Sequence, residues 1–310
     1  MLKELFIIIL LTILALLSYF IYLNLPGEPL PLKTTYQFNH PNVEKDLPAG
    51  PSQFEEGMRF NHNNLTYQFL TDCNQDKKTK MLEAFDIIED RTNILTFKET
   101  TNDADIIVSC SKEMLQKQEN QFIAGEGGPS KYLNLSIYPL ILEGSIILYE
   151  ELYNIDCNKP IIEIHELLHV FGFEHLNNSD YIMYPYFSCE QEIHPGHIQL
   201  LKEIYNKPAK AELYFKDIEA VKKGRYLDFE AIVENQGIIT AKNIKLILIE
   251  QNKEVEEFEF DNIEPGAYQK LTTKNVRLDS RYTKEITFKI TTITQEYQTS
   301  NNELIMEIEE

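Results

Sequence analysis

Eleven residues of this 310-residue chain, His165 to His175, read HELLHVFGFEH. No other stretch restricts the fold as much. On an α-helix, residues i and i+4 project from one face. His165 and His169 therefore present two imidazoles about one turn apart, a spacing suited to a single Zn²⁺. Glu166 stands beside the first of them, and its longer side chain reaches a water in the ion's open position. Gly172 follows the last helical residues, where glycine commonly supplies a left-handed C-cap. Such a cap turns the chain sharply and brings His175 back as a third ligand. Three neutral histidines plus one water make a catalytic set, whereas a structural zinc site is closed by four protein ligands. A lone helical histidine is usually an ordinary core or surface residue. Five fixed positions are different, with a chance match on the order of 10⁻⁵.

After His175 the chain runs to YIMYP, with Met183 eight residues beyond the third histidine. The two segments together resemble the metzincin zinc peptidases, whose signature is HExxHxxGxxH followed by a Met-turn. Met-Tyr-Pro and its spacing look most like the matrixin branch. An astacin-like turn would place Tyr two residues after the Met, where Pro185 stands. The resemblance covers residues 59–206 and implies an α+β zincin, a mixed sheet with an active-site helix. It also implies roles: His165, His169 and His175 hold one catalytic Zn²⁺, Glu166 is general base and acid, and Met183 forms an apolar floor. Zinc in such a site acidifies the attacking water and polarises the scissile carbonyl, while Glu166 carries the proton to the leaving amine. The fold allows a structural Ca²⁺, but no residue here indicates one. Metzincin substrates pair as extended peptides with an exposed sheet edge, placed by position near Phe122–Gly128. Pro185, Tyr186 and Phe187 follow the Met-turn and are candidates for the wall of the primed-side pocket, with plain core packing as the alternative. Two departures stand out. Leu176 occupies a position where matrixins typically carry Ser, and residues 26–58 contain no Cys to act as a propeptide thiol switch.

The amino terminus poses a separate question. Residues 5–25, LFIIILLTILALLSYFIYLNL, carry no charge and are closed by Pro26. Twenty-one residues at 1.5 Å each span about 30 Å, the thickness of a bilayer's hydrocarbon core. A signal-peptide core is shorter and ends in a small-x-small cleavage site that this segment lacks. The expectation is an uncleaved membrane anchor over 1–25, with a secreted product as the alternative. Four cysteines, Cys73, Cys110, Cys157 and Cys189, all lie downstream of it. In an exported chain they suggest two disulfides, by any of three pairings; none are spaced as the CxxC pairs of a zinc site. The body is thus expected outside the cytoplasm. On the metzincin fold, the implied pairings are Cys73–Cys110 and Cys157–Cys189.

A net charge of −20, with no run of Lys/Arg longer than two, argues against nucleic acid as a partner and against binding anionic lipid headgroups as a main task. Proline-rich residues 26–58 read as a stalk. Strand-like runs at 65–70, 94–99, 105–110 and 145–149 surround a helical pattern over Lys77–Arg91, and AGEGGP (124–129) reads as a glycine-rich turn. The active-site helix is expected from about Pro160 and another helix over Gly196–Tyr205. Residues 211–310 switch to period-two runs such as Leu227, Phe229, Ala231 and Val233, separated by NQG and EPG turns. That pattern predicts an all-β immunoglobulin-like sandwich. ENQGIITAKNI (234–244), EPG (264–266) and TSNNE (299–303) resemble the cell-adhesion-related bacterial domain, which implies a spacer or a surface-docking role. Three functions remain: a membrane-tethered zinc endopeptidase, a silent adhesion protein on a zincin scaffold, and a zinc enzyme with a non-protein substrate. Glu166 and all three histidines are present, and the Met-turn is in place, which favours the first.

Overall fold

The computed structural model describes residues 2–34, 41, 50–70, 73–112, 116–118, 121–150 and 157–308. Helix α1 (Leu2–Asn24) contains the apolar segment. Its mean hydropathy reaches 2.7, none of it is buried, and its 23 residues span about 34 Å. It is long and apolar enough to cross a membrane, a property that signal sequences share.

Strand β1 (Pro29–Thr34) follows, where the sequence predicts a stalk; residues 35–40 and 42–49 of that stalk lie outside the described residues. β1 pairs antiparallel with two strands of the 210–310 region, through Leu32 with Ala220 and with Ile308. Pro29 and Pro31 cannot donate ladder hydrogen bonds, and such residues argue against a strand when only the sequence is read. The chain forms two compact units: Met1–Val43 with Lys210–Glu310, and Glu44–Ala209.

Unit Glu44–Ala209 contains β2 (Asn64–Phe69), α2 (Gln75–Thr92), β3 (Thr96–Glu99), β4 (Ile106–Ser111), β5 (Gln116–Gln118), β6 (Gln121–Phe122), β7 (Gly125–Leu133), β8 (Leu140–Tyr149), α3 (Ile161–Val170) and α4 (Pro195–Asn206). Local chemistry sets the helix ends. Asn74 Oδ1 accepts from Lys77 N at 2.8 Å to start α2, and Asn93 closes it in the left-handed region. The His194 side chain accepts from Gly196 N at the head of α4. The main sheet has the order β3-β2-β4-β8-β7. Its first four strands are parallel, and β7 runs antiparallel along the edge. Ile106, Val108, Ile146 and Leu148 of the sheet share one core with Met81, Phe85 and Ile88 of α2 and Leu167 and Leu168 of α3. Burying such apolar side chains contributes roughly 1.5–3 kcal/mol each. Parallel β2 and β4 bring Cys73 and Cys110 to bonding distance, 2.05 Å, and Cys157 meets Cys189 at 1.95 Å.

Residues 125–129 are therefore strand, not the turn that their glycines predict. Gly125, Gly127 and Gly128 have no positive φ; what they provide is space. A Cβ on Gly127 would stand 2.2 Å from the Glu166 carbonyl oxygen, so a bare backbone lets β7 lie directly on α3.

The other unit adds β9 (Leu213–Lys223), β10 (Tyr226–Asn235), β11 (Ile244–Glu250), β12 (Lys253–Phe260), β13 (Tyr268–Arg277), β14 (Glu285–Thr291) and β15 (Glu303–Ile308). With β1 they form one hydrogen-bonded order, β12-β11-β14-β15-β1-β9-β10-β13. The sheet folds over a single core, so that Phe229 of β10 packs edge-on against Phe288 of β14 and Phe258 of β12 at 5.1 and 5.4 Å. This region is mostly β, as its alternation predicts. β1 joins the β9-β10-β13 flank to the β15-β14-β11-β12 flank.

Candidate active site

α3 begins at Ile161, one residue after Pro160, and ends in a Schellman motif. Gly172 N donates to His169 O at 2.8 Å and Phe173 N to Leu168 O at 3.2 Å. Gly172 has φ +84, and a Cβ there would also meet Met58 Sδ at 2.7 Å; only glycine fits on both counts. The reversal returns the chain to His175. Its Nε2 lies 3.2 Å from those of His165 and His169, which are 3.0 Å from each other.

Those distances carry the chemistry. Two ligands at about 2.0–2.1 Å on a tetrahedral zinc stand roughly 3.3–3.4 Å apart, so three nitrogens at 3.0–3.2 Å surround a point suited to that ion. The outer ring nitrogens are held by carbonyls. His165 Nδ1 donates to Ile182 O at 2.6 Å, and His169 Nδ1 to Phe173 O at 2.7 Å. Each bond leaves Nε2 as a lone-pair donor facing its neighbours, an arrangement that a cation between them relieves. Burial above all, and then the charge of His169, hold His165 down to about 3. His169 is held down to about 4, chiefly by burial. Both imidazoles are neutral at ordinary pH, the form that binds metal. Among the described residues this triad is the only group of three or more His, Cys, Asp or Glu arranged to hold a metal ion. His175 is exposed, which leaves the site open on its side.

Glu166 is buried against β7, and a Cβ on Gly125 would come within 2.8 Å of its Oε1. Burial first, then the charges of Glu126 and Glu163, push its carboxyl up to about 8. A dication at the histidines acts in the opposite direction and favours the carboxylate. Glu163, on the same helix and 1% exposed, pairs with Lys77 Nζ at 3.2 Å and so ties α3 to α2.

The segment around Met183 supports two of the three histidines through its backbone. Ile182 O receives the His165 ring, while Leu176 N donates to Met183 O at 2.7 Å. Leu176 is thus the residue that joins the His175 loop to the turn, and its side chain packs on the core. Met183 is fully buried. Of the pocket candidates, Phe187 packs against the core, whereas Pro185 and Tyr186 are exposed. Gln191 holds this loop by donating to Tyr186 O at 2.9 Å.

Residues 59–206 match the matrixin family model. The match covers β2 through α4 and supports a zinc metallopeptidase domain of metzincin-like fold. No curated protein matches the chain.

No motif in the sequence marks Gln53 or Phe54. Gln53 Nε2 donates to Phe171 O at 2.7 Å and Met58 O at 3.0 Å. Phe54 N donates to Gly172 O at 2.7 Å, and the Phe54 ring stacks near His169 at 6.1 Å. This segment precedes any periodic pattern, so its only sequence signal is one exposed aromatic.

Proposed function

We propose that this chain is a membrane-anchored, zinc-dependent endopeptidase whose catalytic unit works outside the cytoplasm. The observation that carries the reading is the triad of converging Nε2 atoms at 3.0–3.2 Å, with the Glu166 carboxylate on the next residue of the same helix. His165, His169 and His175 hold the ion. A zinc ion bound there supplies Lewis-acid chemistry, acidifying a water and polarising the scissile carbonyl. Glu166 accepts the proton of the attacking water and delivers it to the leaving amine. Its burial against β7 keeps bulk water from competing for that proton.

Substrate binds as an added strand. β7 ends the sheet order, so one of its edges has no strand neighbour among the described residues. An extended peptide supplies the missing ladder and passes the triad in a fixed direction. Pro185 and Tyr186 line the cleft after the scissile bond and favour an apolar side chain there. α1 spans the bilayer, and the strands of 211–310, with the immunoglobulin-like character of a cell-adhesion-related domain, connect the enzyme to its surroundings.

The test is Glu166→Gln. It is expected to keep one zinc per chain while lowering peptide cleavage by about 10²–10⁴-fold. Wild-type cleavage rates in that variant would overturn the assignment. Zinc binding without chelator-sensitive cleavage in the wild type would favour an adhesion protein on a zincin scaffold.

A further inference from the structure

α1 does not end in open chain. The last carbonyls of a helix lack intrahelical partners, and here residues of the β unit supply them. Arg281 Nη1 donates to Tyr22 O at 2.9 Å and Leu25 O at 2.5 Å, and its guanidinium lies over the Tyr22 ring at 4.4 Å. Arg277 reaches Asn24 Oδ1 at 3.2 Å, and Tyr226 OH donates to Asn24 O at 3.3 Å. Gly27 passes Gly224 so closely that a Cβ would stand 2.9 Å from its nitrogen. The end of the helix is therefore joined to the β9–β10 turn and to segment 277–282.

That joint is basic and aromatic in an acidic protein. The whole chain has five arginines, Arg59, Arg91, Arg225, Arg277 and Arg281, against a net charge of −20. Three of the five sit here. Two nearby carboxylates are engaged elsewhere, Asp228 with Lys223 and Asp279 with Lys253, both at 2.6 Å, while Glu28 beside Gly27 is exposed. Glu250 is buried and accepts from the backbone of Asp279 and Ser280. Arg225 donates to a carbonyl, that of Asp279 at 2.8 Å, and its Nε is buried without a hydrogen-bond partner among the described residues. Beside these cations Tyr282 is 64% exposed.

We propose that this end of the sheet is a docking surface for the phosphate headgroups of an anionic bilayer, bound by Arg225, Arg277 and Arg281. The inference rests on α1 spanning the membrane. The carbonyls of Tyr22 and Leu25 mark the end of the apolar span, so the arginine that caps them lies at headgroup depth. Guanidinium groups are forked donors matched to phosphate oxygens, and Tyr282 suits the water–hydrocarbon boundary. Juxtamembrane cations each strengthen binding to an anionic surface about fivefold, so three supply on the order of 10²-fold.

The chain contains no tryptophan, so Tyr282→Trp in the full-length protein creates a single reporter. It is placed in nanodiscs of phosphatidylcholine, alone or mixed with phosphatidylglycerol, and read by emission wavelength and by quenching with brominated lipid. The expected result is a blue shift with strong quenching only in the anionic discs, reduced by added salt. Replacing all three arginines by Gln should return the signal to the neutral-lipid level, while replacing them by Lys should keep most of it and so separates lost charge from a damaged joint. Equal emission in both discs overturns the proposal. So does an unchanged response in the Gln variant, or a response to inorganic phosphate in neutral discs that matches the anionic lipid. Flotation of wild-type chain with neutral vesicles tests α1 separately, and its failure would remove the anchor reading itself.

Discussion

Gly127→Ala adds one methyl group where the structure has no space for it. The new Cβ would lie 2.2 Å from the Glu166 carbonyl oxygen and 2.8 Å from its carbonyl carbon and Cα. Non-bonded heavy atoms settle near 3.5–4.0 Å, so β7 and α3 must separate by about 1 Å or more. Every clashing atom is backbone, so no rotamer change relieves the contact. Overpacking of this kind costs about 1–3 kcal/mol, and each kcal/mol lowers the melting temperature of a domain this size by roughly 2–4 °C. The displaced peptide is that of the proposed base, and a misplacement of about 1 Å can cost about 10²-fold in rate. Thermal unfolding, zinc content and kcat/KM on a fluorogenic peptide would be measured together. Gly128→Ala is the control, because a Cβ there meets nothing within 4 Å, and its stability and zinc content should match wild type. A Gly127→Ala protein as stable and as active as wild type would refute the claim that glycine is required for the strand–helix contact.

Removing the Cys157–Cys189 bridge with paired Ser substitutions frees a loop of sequence separation 32. The chain-entropy model puts the loss at about 4 kcal/mol, and urea titration with zinc release as the probe should show the site failing at lower denaturant. His197 is fully buried, and neither ring nitrogen has a hydrogen-bond partner among the described residues. His197→Leu is therefore expected to leave stability unchanged or raise it, by up to about 2 kcal/mol in melting experiments. Burial foremost, then the charges of His194 and His169, hold His197 down to about 3 from an ordinary 6.5. The unfolded chain takes up that proton first, so stability is full above pH 6.5 and falls as pH drops toward 3. The Leu variant should lose this part of the slope, and an unchanged slope would show that other groups carry it.

The histidine spacing made the centre of the site legible, because a helical period and one left-handed glycine fix where His165, His169 and His175 must point. Period-two alternation revealed most strands for the same reason. What stayed hidden depended on contacts between segments distant in sequence. GEGG has the composition of a turn, and only the presence of α3 behind it shows why a strand would need glycine there. PLPLKT carries a single buried residue, Leu32, and its prolines hide a strand whose partners, at Ala220 and Ile308, lie far along the chain. Leu176 departs from the usual residue at its position, yet its contribution is a backbone amide, which any residue except proline would leave in place. Gln53 acts through two carbonyls that only the folded helix end exposes.

Because β1 precedes the Glu44–Ala209 unit and β9 follows it, the catalytic unit is an insertion within the β unit. This has a consequence for shedding. If α1 anchors the chain as proposed, a single proteolytic cut between β1 and β2 leaves the Glu44–Ala209 unit attached, since β1 remains hydrogen-bonded between β9 and β15. Release in one step requires a cut between α1 and β1, in the few residues from Leu25 to Glu28 that lie against Arg281 and Gly224.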